Sequence, residues 1–241
     1  MTTVVITQPM LFPWPGFFEQ LMLADRYIYL DDAQFSKGSF TNRIQLLSGN
    51  DRCWMTIPLA GKGSFQKISE LSSAGDDWKT SHRALLRQSL LGAPYLDDAL
   101  SIFDATYSHS SLLELLIASI EEPARYMGIG VGREIQKSST LSVESASWRR
   151  VLDLVLAAGG DRYLTGHGAA NYLDHRAFEE EGVRVEYMDY SRSPWPQPSG
   201  SFTPYVSVLD LIARTGPEAR NCLIPATTGW QDFLKEETVT L

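Results

Sequence analysis

Residues 2–32, TTVVITQPMLFPWPGFFEQLMLADRYIYLDD, decide the reading of the fold. Thr2–Thr7 is short and β-branched, which predicts a buried strand. It stops at Gln8-Pro9, because Pro9 cannot donate to a ladder. A loop rich in proline and aromatics follows, then a helix predicted from about Phe17 to Ala24. Arg26–Leu30 reads as a second short strand ending in Asp31-Asp32. Strand, loop, helix and strand within about 30 residues open a βαβ unit, so the pair is parallel and the sheet α/β.

Outward from this unit the pattern changes twice. Arg43–Leu47 and Cys53–Leu59 flank the turn Ser48-Gly49-Asn50-Asp51, a hairpin signal. Gly61-Lys62-Gly63-Ser64 reads as a flexible turn and Ile68–Leu71 as a short strand. From Asp77 the spacing is helical: one helix through Leu90, a second after Pro94, and a third from Leu112 that Pro123 should kink or restart. The last third alternates again. Ser147–Ala158 reads as a helix, Tyr163–Thr165 as a strand and Gly166–Gly168 as a tight loop. Ala169–Glu180 is a predicted helix, Val183–Tyr187 a strand and Val206–Arg214 a helix ending at Gly216. The expected fold is α/β: a parallel α/β core with an inserted β-hairpin and helical segment. One domain spans residues 1–241, with about 77–130 a candidate helical subdomain.

Composition narrows the function classes. The 241 residues carry 21 Lys and Arg against 29 Asp and Glu, a formal charge of −8. A bulk nucleic-acid binder rests on many Lys/Arg–phosphate contacts, so that class is disfavoured, although a local basic patch stays open. No apolar run approaches the roughly 20 residues that span a bilayer, and no secretory signal is visible, so no membrane insertion is expected. Two cysteines, Cys53 and Cys222, suit neither a disulfide framework nor a thiolate metal site. A reduced, cytoplasmic location fits best.

Five stretches could carry chemistry. The loop from Gln8 to Phe17 lies beyond a strand's carboxyl end, where ligands of open α/β sheets bind. Its prolines stiffen the backbone, Gly16 permits close approach, and Gln8 offers both donor and acceptor. The alternative is a rigid turn that only stabilises the fold. Asp31-Asp32-Ala33-Gln34 with Asn42-Arg43 could hold Mg²⁺, sugar hydroxyls, a proton on a raised-pKa acid, or an anion at Arg43; equally, the acids could cap turns. Of four histidines, His82, His109, His167 and His175, none has the helical spacing of a zinc site, so no metal is expected. His109 and His175 read as surface residues and His82 as a helix histidine with a structural or catalytic role. Gly166-His167-Gly168 follows a strand, so its backbone N–H groups could cradle an anion, although neither the dinucleotide nor the P-loop pattern is present. Ser193-Pro194-Trp195-Pro196-Gln197 reads as a docking loop before a helix whose Asp210 needs a partner.

Taken in order, these pieces resemble the WbqC-like family. The resemblance rests on Gln8-Pro9 through Pro13-Trp14 and Gly16-Phe17-Phe18, then Asp31-Asp32-Ala33-Gln34-Phe35 and Asn42-Arg43. It continues through Trp54, Pro58, Trp78 with His82, Ala93-Pro94-Tyr95, Tyr163-Leu164-Thr165-Gly166, Tyr172-Leu173-Asp174, Gln197, Phe202 and Ser207–Leu211. Members recur with enzymes of O-antigen, capsule and natural-product biosynthesis. The resemblance therefore implies a transferase acting on an activated or amino sugar, by acyl or aminoacyl transfer to an amine.

In that reading Asp32 and His82 or His167 are catalytic. Gln8, Trp14, Asp31, Gln34, Asn42, Arg43, Gly166, Tyr172 and Gln197 bind substrate. The alternative is a non-catalytic sugar- or nucleotide-binding partner of such enzymes, using Trp14 and Trp195 for stacking. Expected partners are a small-molecule substrate, an activated sugar or acyl donor, and a protein or aminoacyl-tRNA. No cofactor follows from the residues.

Overall fold

The computed structural model describes residues 1–49, 51–63, 65–198 and 201–239. Asn50 of the expected hairpin turn and Ser64 of the expected flexible turn lie outside them. The opening βαβ unit is present: β1 (Thr3–Thr7), α1 (Pro15–Met22) and β2 (Arg26–Tyr29), with β1 and β2 parallel. Helix α1 begins two residues earlier than expected. Pro15 occupies its first turn, where a missing N–H costs nothing.

The hairpin follows as β3 (Arg43–Ser48) and β4 (Asp51–Thr56), an antiparallel pair separate from the main sheet. Ile68–Glu70 is a 3₁₀ turn rather than a strand; the Glu70 carboxylate accepts from the Lys67 N–H at 3.0 Å and winds it up. The helical segment comprises α2 (Trp78–Ser89), α3 (Leu96–Tyr107) and α4 (Leu112–Tyr126). Helix α4 runs through Pro123 without a break, its Leu115, Leu116, Ile120 and Ala124 buried on either side.

The chain then returns to the sheet with β5 (Glu134–Lys137), a strand absent from the sequence reading. Next come α5 (Ser147–Ala157), β6 (Arg162–Thr165), α6 (His175–Glu180) and β7 (Arg184–Tyr190). The single helix expected over 169–180 is instead a 3₁₀ turn, His167–Asn171, and then α6. Asp174 divides them: its carboxylate accepts from the Ala177 N–H at 3.2 Å and starts a new helix. Helix α7 (Val208–Thr215) precedes two further elements not read from the sequence, β8 (Pro225–Gly229) and α8 (Trp230–Val239).

The six-stranded sheet has the order β5-β2-β1-β6-β7-β8, parallel except for β8. Alternate residues face opposite layers. Val5, Tyr27, Tyr29, Leu164 and Met188 join α1–α4, α7 and the hairpin in one core. Val4, Ile6, Ile28, Tyr163, Val185 and Tyr187 join α5, α6 and α8 in the other. Period-two alternation of large apolar residues thus builds two cores around one α/β sheet. From β1 the order runs one way through β2 to β5 and the other way through β6 to β8, so it reverses between β1 and β6. No helix among the described residues is long and apolar enough to cross a membrane.

Candidate functional site

A cleft of about 450 Å³ opens at that reversal, beyond the carboxyl ends of β1 and β6. This is where open α/β sheets place ligands, because the connections diverge there and leave a gap. Thr7 and Gln8 enter it from β1, and Thr165, Gly166 and His167 from β6. Trp14 and Gln20 form one wall, Tyr172 and Tyr190 others.

The proline-rich loop is held rigidly over this opening. Phe12 adopts φ +33°, a left-handed conformation that a bulky residue occupies only when its surroundings impose it. Its N–H donates to the buried Ser119 hydroxyl of α4 at 3.1 Å, and that hydroxyl has the Met10 carbonyl 2.7 Å away. The Leu11 N–H reaches the Phe40 carbonyl at 3.2 Å. Trp14 then folds back over Gly16 and meets Tyr190 edge-on, ring centroids 4.8 Å apart. Gly166 plays a matching part, since a β-carbon there would lie 3.0 Å from the Tyr190 hydroxyl.

His167 is fixed by the strand next door. Its Nε2 lies 2.7 Å from the Met188 carbonyl of β7, and its ring rests against Tyr190 and Phe233 at 5.2 and 4.8 Å. A carbonyl only accepts, so Nε2 carries the proton and, in the neutral ring, Nδ1 carries the lone pair. An imidazole so oriented can take a proton from a bound nucleophile and return it to a leaving group. The Tyr163 hydroxyl donates to the Thr165 hydroxyl at 3.2 Å. Burial, with the nearby Glu19 carboxyl, pushes the Tyr190 phenol up to about 12, so it stays a neutral donor. Among the described residues, no carboxylate lines the cleft, and no group of three or more His, Cys, Asp or Glu could hold a metal.

The structure brings Gln8, Trp14, Gly166, His167 and Tyr172 together in this cleft and places the other sequence candidates elsewhere. Asp31 accepts from the Ser139 N–H at 3.0 Å and the Ser139 hydroxyl at 2.7 Å. Asp32 pairs with Arg150 at 2.5 Å and accepts from the Ser138 hydroxyl. Burial pushes the Asp32 carboxyl upward, but the Ser138 hydroxyl and the Arg150 guanidinium outweigh it and hold the group below its ordinary value. The expectation of a raised-pKa acid does not apply there. Gln34 is exposed and bridges Lys67 through its backbone. Asn42 donates to the Ile57 carbonyl at 2.8 Å, and Arg43 donates to the Gly38 carbonyl while lying 4.2 Å over the Trp54 ring.

His82 is buried between α2, α3 and β4, with Nδ1 2.9 Å from the Tyr107 hydroxyl and Nε2 3.1 Å from the Thr56 carbonyl. Gln197 clasps the backbone of Thr203 with both ends of its amide, at 2.9 and 3.1 Å. Trp195 is buried against Phe202 and donates to Asp210 at 2.8 Å; Asp210 also pairs with Arg214 at 3.4 Å. His175, expected on the surface, is buried instead, 2.7 Å from the Tyr187 hydroxyl and stacked on Trp230.

Sequence reasoning missed Gln20, Thr165 and Tyr190 in the cleft. Gln20 had a signal, because it falls among Phe17, Phe18 and Leu21 on a short apolar helix and must be paired; it donates to the Leu164 carbonyl at 3.0 Å.

Residues 8–222 match the WbqC-like protein family. The chain is also similar to a Mycobacterium tuberculosis (strain ATCC 25618 / H37Rv) protein named "Uncharacterized protein Rv1507c". Identity is 30% over 228 residues, covering 92% of this chain and 98% of that protein. No solved structure gives a significant match. The family match includes the proline-rich loop, His167 and every strand from β2 to β7, so the chain belongs to the WbqC-like protein family.

Proposed function

We propose that this protein is a transferase that moves an acyl group from an activated donor onto the amine of a small-molecule acceptor, in glycan or natural-product assembly. The observation that carries the reading is His167, held in one tautomer by Met188 at the mouth of the sheet's reversal cleft. Acyl transfer to an amine needs little more than a positioned base and donors for the carbonyl oxygen. With an acyl thioester as the donor, the amine nitrogen attacks the thioester carbonyl carbon and the C–N bond forms. Its proton passes to His167 Nδ1, the C–S bond breaks, and the departing thiolate takes that proton back. Gln8 and Tyr172 line the cleft as polar groups for the acceptor and the oxyanion.

A second reading, a non-catalytic sugar- or nucleotide-binding partner, is favoured by the lack of a carboxylate among the described residues that line the cleft. Melting temperatures with ATP and Mg²⁺, acyl thioesters, nucleotide sugars, amino acids and aminoacyl-tRNA test both. A ligand at about 100 times its Kd adds about 2.7 kcal/mol. Stabilisation by an acyl thioester, with thiol release that requires an amino-sugar acceptor, supports the transferase. Stabilisation by a nucleotide sugar with no transfer from any donor supports the second reading. No stabilisation by any of them overturns both.

A further inference from the structure

The proline-rich loop has a second cavity on its other side, of about 360 Å³. Leu11 to Trp14 form one wall, Ile44 of β3 another, and Val206 a third. Ile44 and Val206 are buried, whereas Phe40 and Tyr205 stand half-exposed at the rim. Among the described residues that line it, only Gln45 and Ser207 are neither apolar nor aromatic, and none is charged. Met10 and Trp14 line this pocket and the reversal cleft alike, so a single loop separates an apolar compartment from a polar one. The loop is fixed by three prolines and by Phe12's bond to Ser119, which preforms the pocket.

We infer that this pocket takes the hydrocarbon chain of the transferred acyl group, with the thioester end passing over Met10 and Trp14 toward His167. The inference rests on reading the cleft as the site of transfer. The walls choose the occupant. A sugar, phosphate or amino-acid group would lose its hydration there with almost nothing to replace it, whereas an alkyl chain gains from leaving water. The reacting carbonyl must lie in the cleft, and a chain attached to it can leave the polar compartment into this pocket past the two shared side chains. The protein is therefore selective for medium or long apolar acyl groups over acetyl or aminoacyl ones.

The test is a series of S-acyl-N-acetylcysteamine thioesters from acetyl to dodecanoyl, with Kd measured calorimetrically and transfer to glucosamine followed by thiol release. The expected result is a roughly fourfold fall in Kd per added methylene until the pocket fills. Gln45→Trp, which fills the pocket from a partly exposed position, moves the optimum to shorter chains; Phe40→Ala at the rim weakens long-chain binding. If acetyl is transferred but Kd is independent of chain length, the acyl-pocket inference is overturned and the transferase reading stands. If Kd falls with chain length and Gln45→Trp shifts the optimum, yet no thioester is transferred, the pocket stands and the transferase reading fails.

Discussion

The Trp14 indole lies so close across Gly16 that a β-carbon at position 16 would sit 2.1 Å from its ring. The same indole is wall to both the polar cleft and the apolar pocket. Gly16→Ala therefore forces Trp14 out of its place against Tyr190. The expected outcome is a folded protein whose tryptophan emission shifts to longer wavelength and whose ligand-induced melting shift is lost. An unchanged emission spectrum with full ligand binding contradicts this account of the wall.

Asp31 and Asp32 lock the end of β2 to the segment after β5, more than 100 residues away. Asp32→Ala leaves Arg150 partly buried without its carboxylate, and the expected loss is ~1.5–3 kcal/mol. Denaturant melts measure this directly. If acyl transfer is observed, the variant retains it at temperatures where it is folded. A stable but inactive Asp32→Ala protein would show that the acid has a chemical role.

Ser119 is the partner that holds Phe12 in its left-handed conformation. Ser119→Ala strands the Phe12 N–H in the core, at an expected cost of ~1–3 kcal/mol. In a chain of this size each kcal/mol lowers Tm by about 2–4 °C. A Tm within 1 °C of the parent, roughly a few tenths of a kcal/mol, would mean that the loop does not depend on this bond.

Burial pushes the His82 imidazole below its ordinary value, although the Thr56 carbonyl favours its protonated form. The unfolded chain, whose histidine titrates near pH ~6.5, thus binds the proton first. Stability is complete above that pH and falls as the pH drops toward the lowered folded value. Burial shifts His175 the same way. Melts at pH 7.5 and 5.5 should show a drop in Tm that His82→Gln makes shallower without abolishing it. An equal drop in both proteins contradicts the assignment.

The buried strands were legible because their residues alternate large apolar groups toward two cores, as Val4-Val5-Ile6 and Tyr27-Ile28-Tyr29 do. The two strands that were not, β5 and β8, are the sheet's edges. Glu134-Ile135-Gln136-Lys137 is charged and largely exposed, and β8 opens with Pro225, both devices that keep an edge from pairing onward. They also erase the pattern a reader looks for. The cleft residues Gln8, Gly166 and His167 could be found because strand ends predict where ligands sit. Asp31, Asp32 and His82 look equally chemical in the sequence. What satisfies them, Ser138, Ser139, Arg150, Thr56 and Tyr107, is brought by tertiary packing from at least 25 residues away.

The central claim is that His167 Nδ1 is the base of an acyl transfer carried out in the reversal cleft. Its most direct test is His167→Gln, compared with the parent for thiol release from a medium-chain acyl thioester in the presence of an amine acceptor. The account predicts that the rate falls by about 10²–10⁴-fold while the donor's melting shift persists. Transfer at the parental rate by the His167→Gln protein would contradict it.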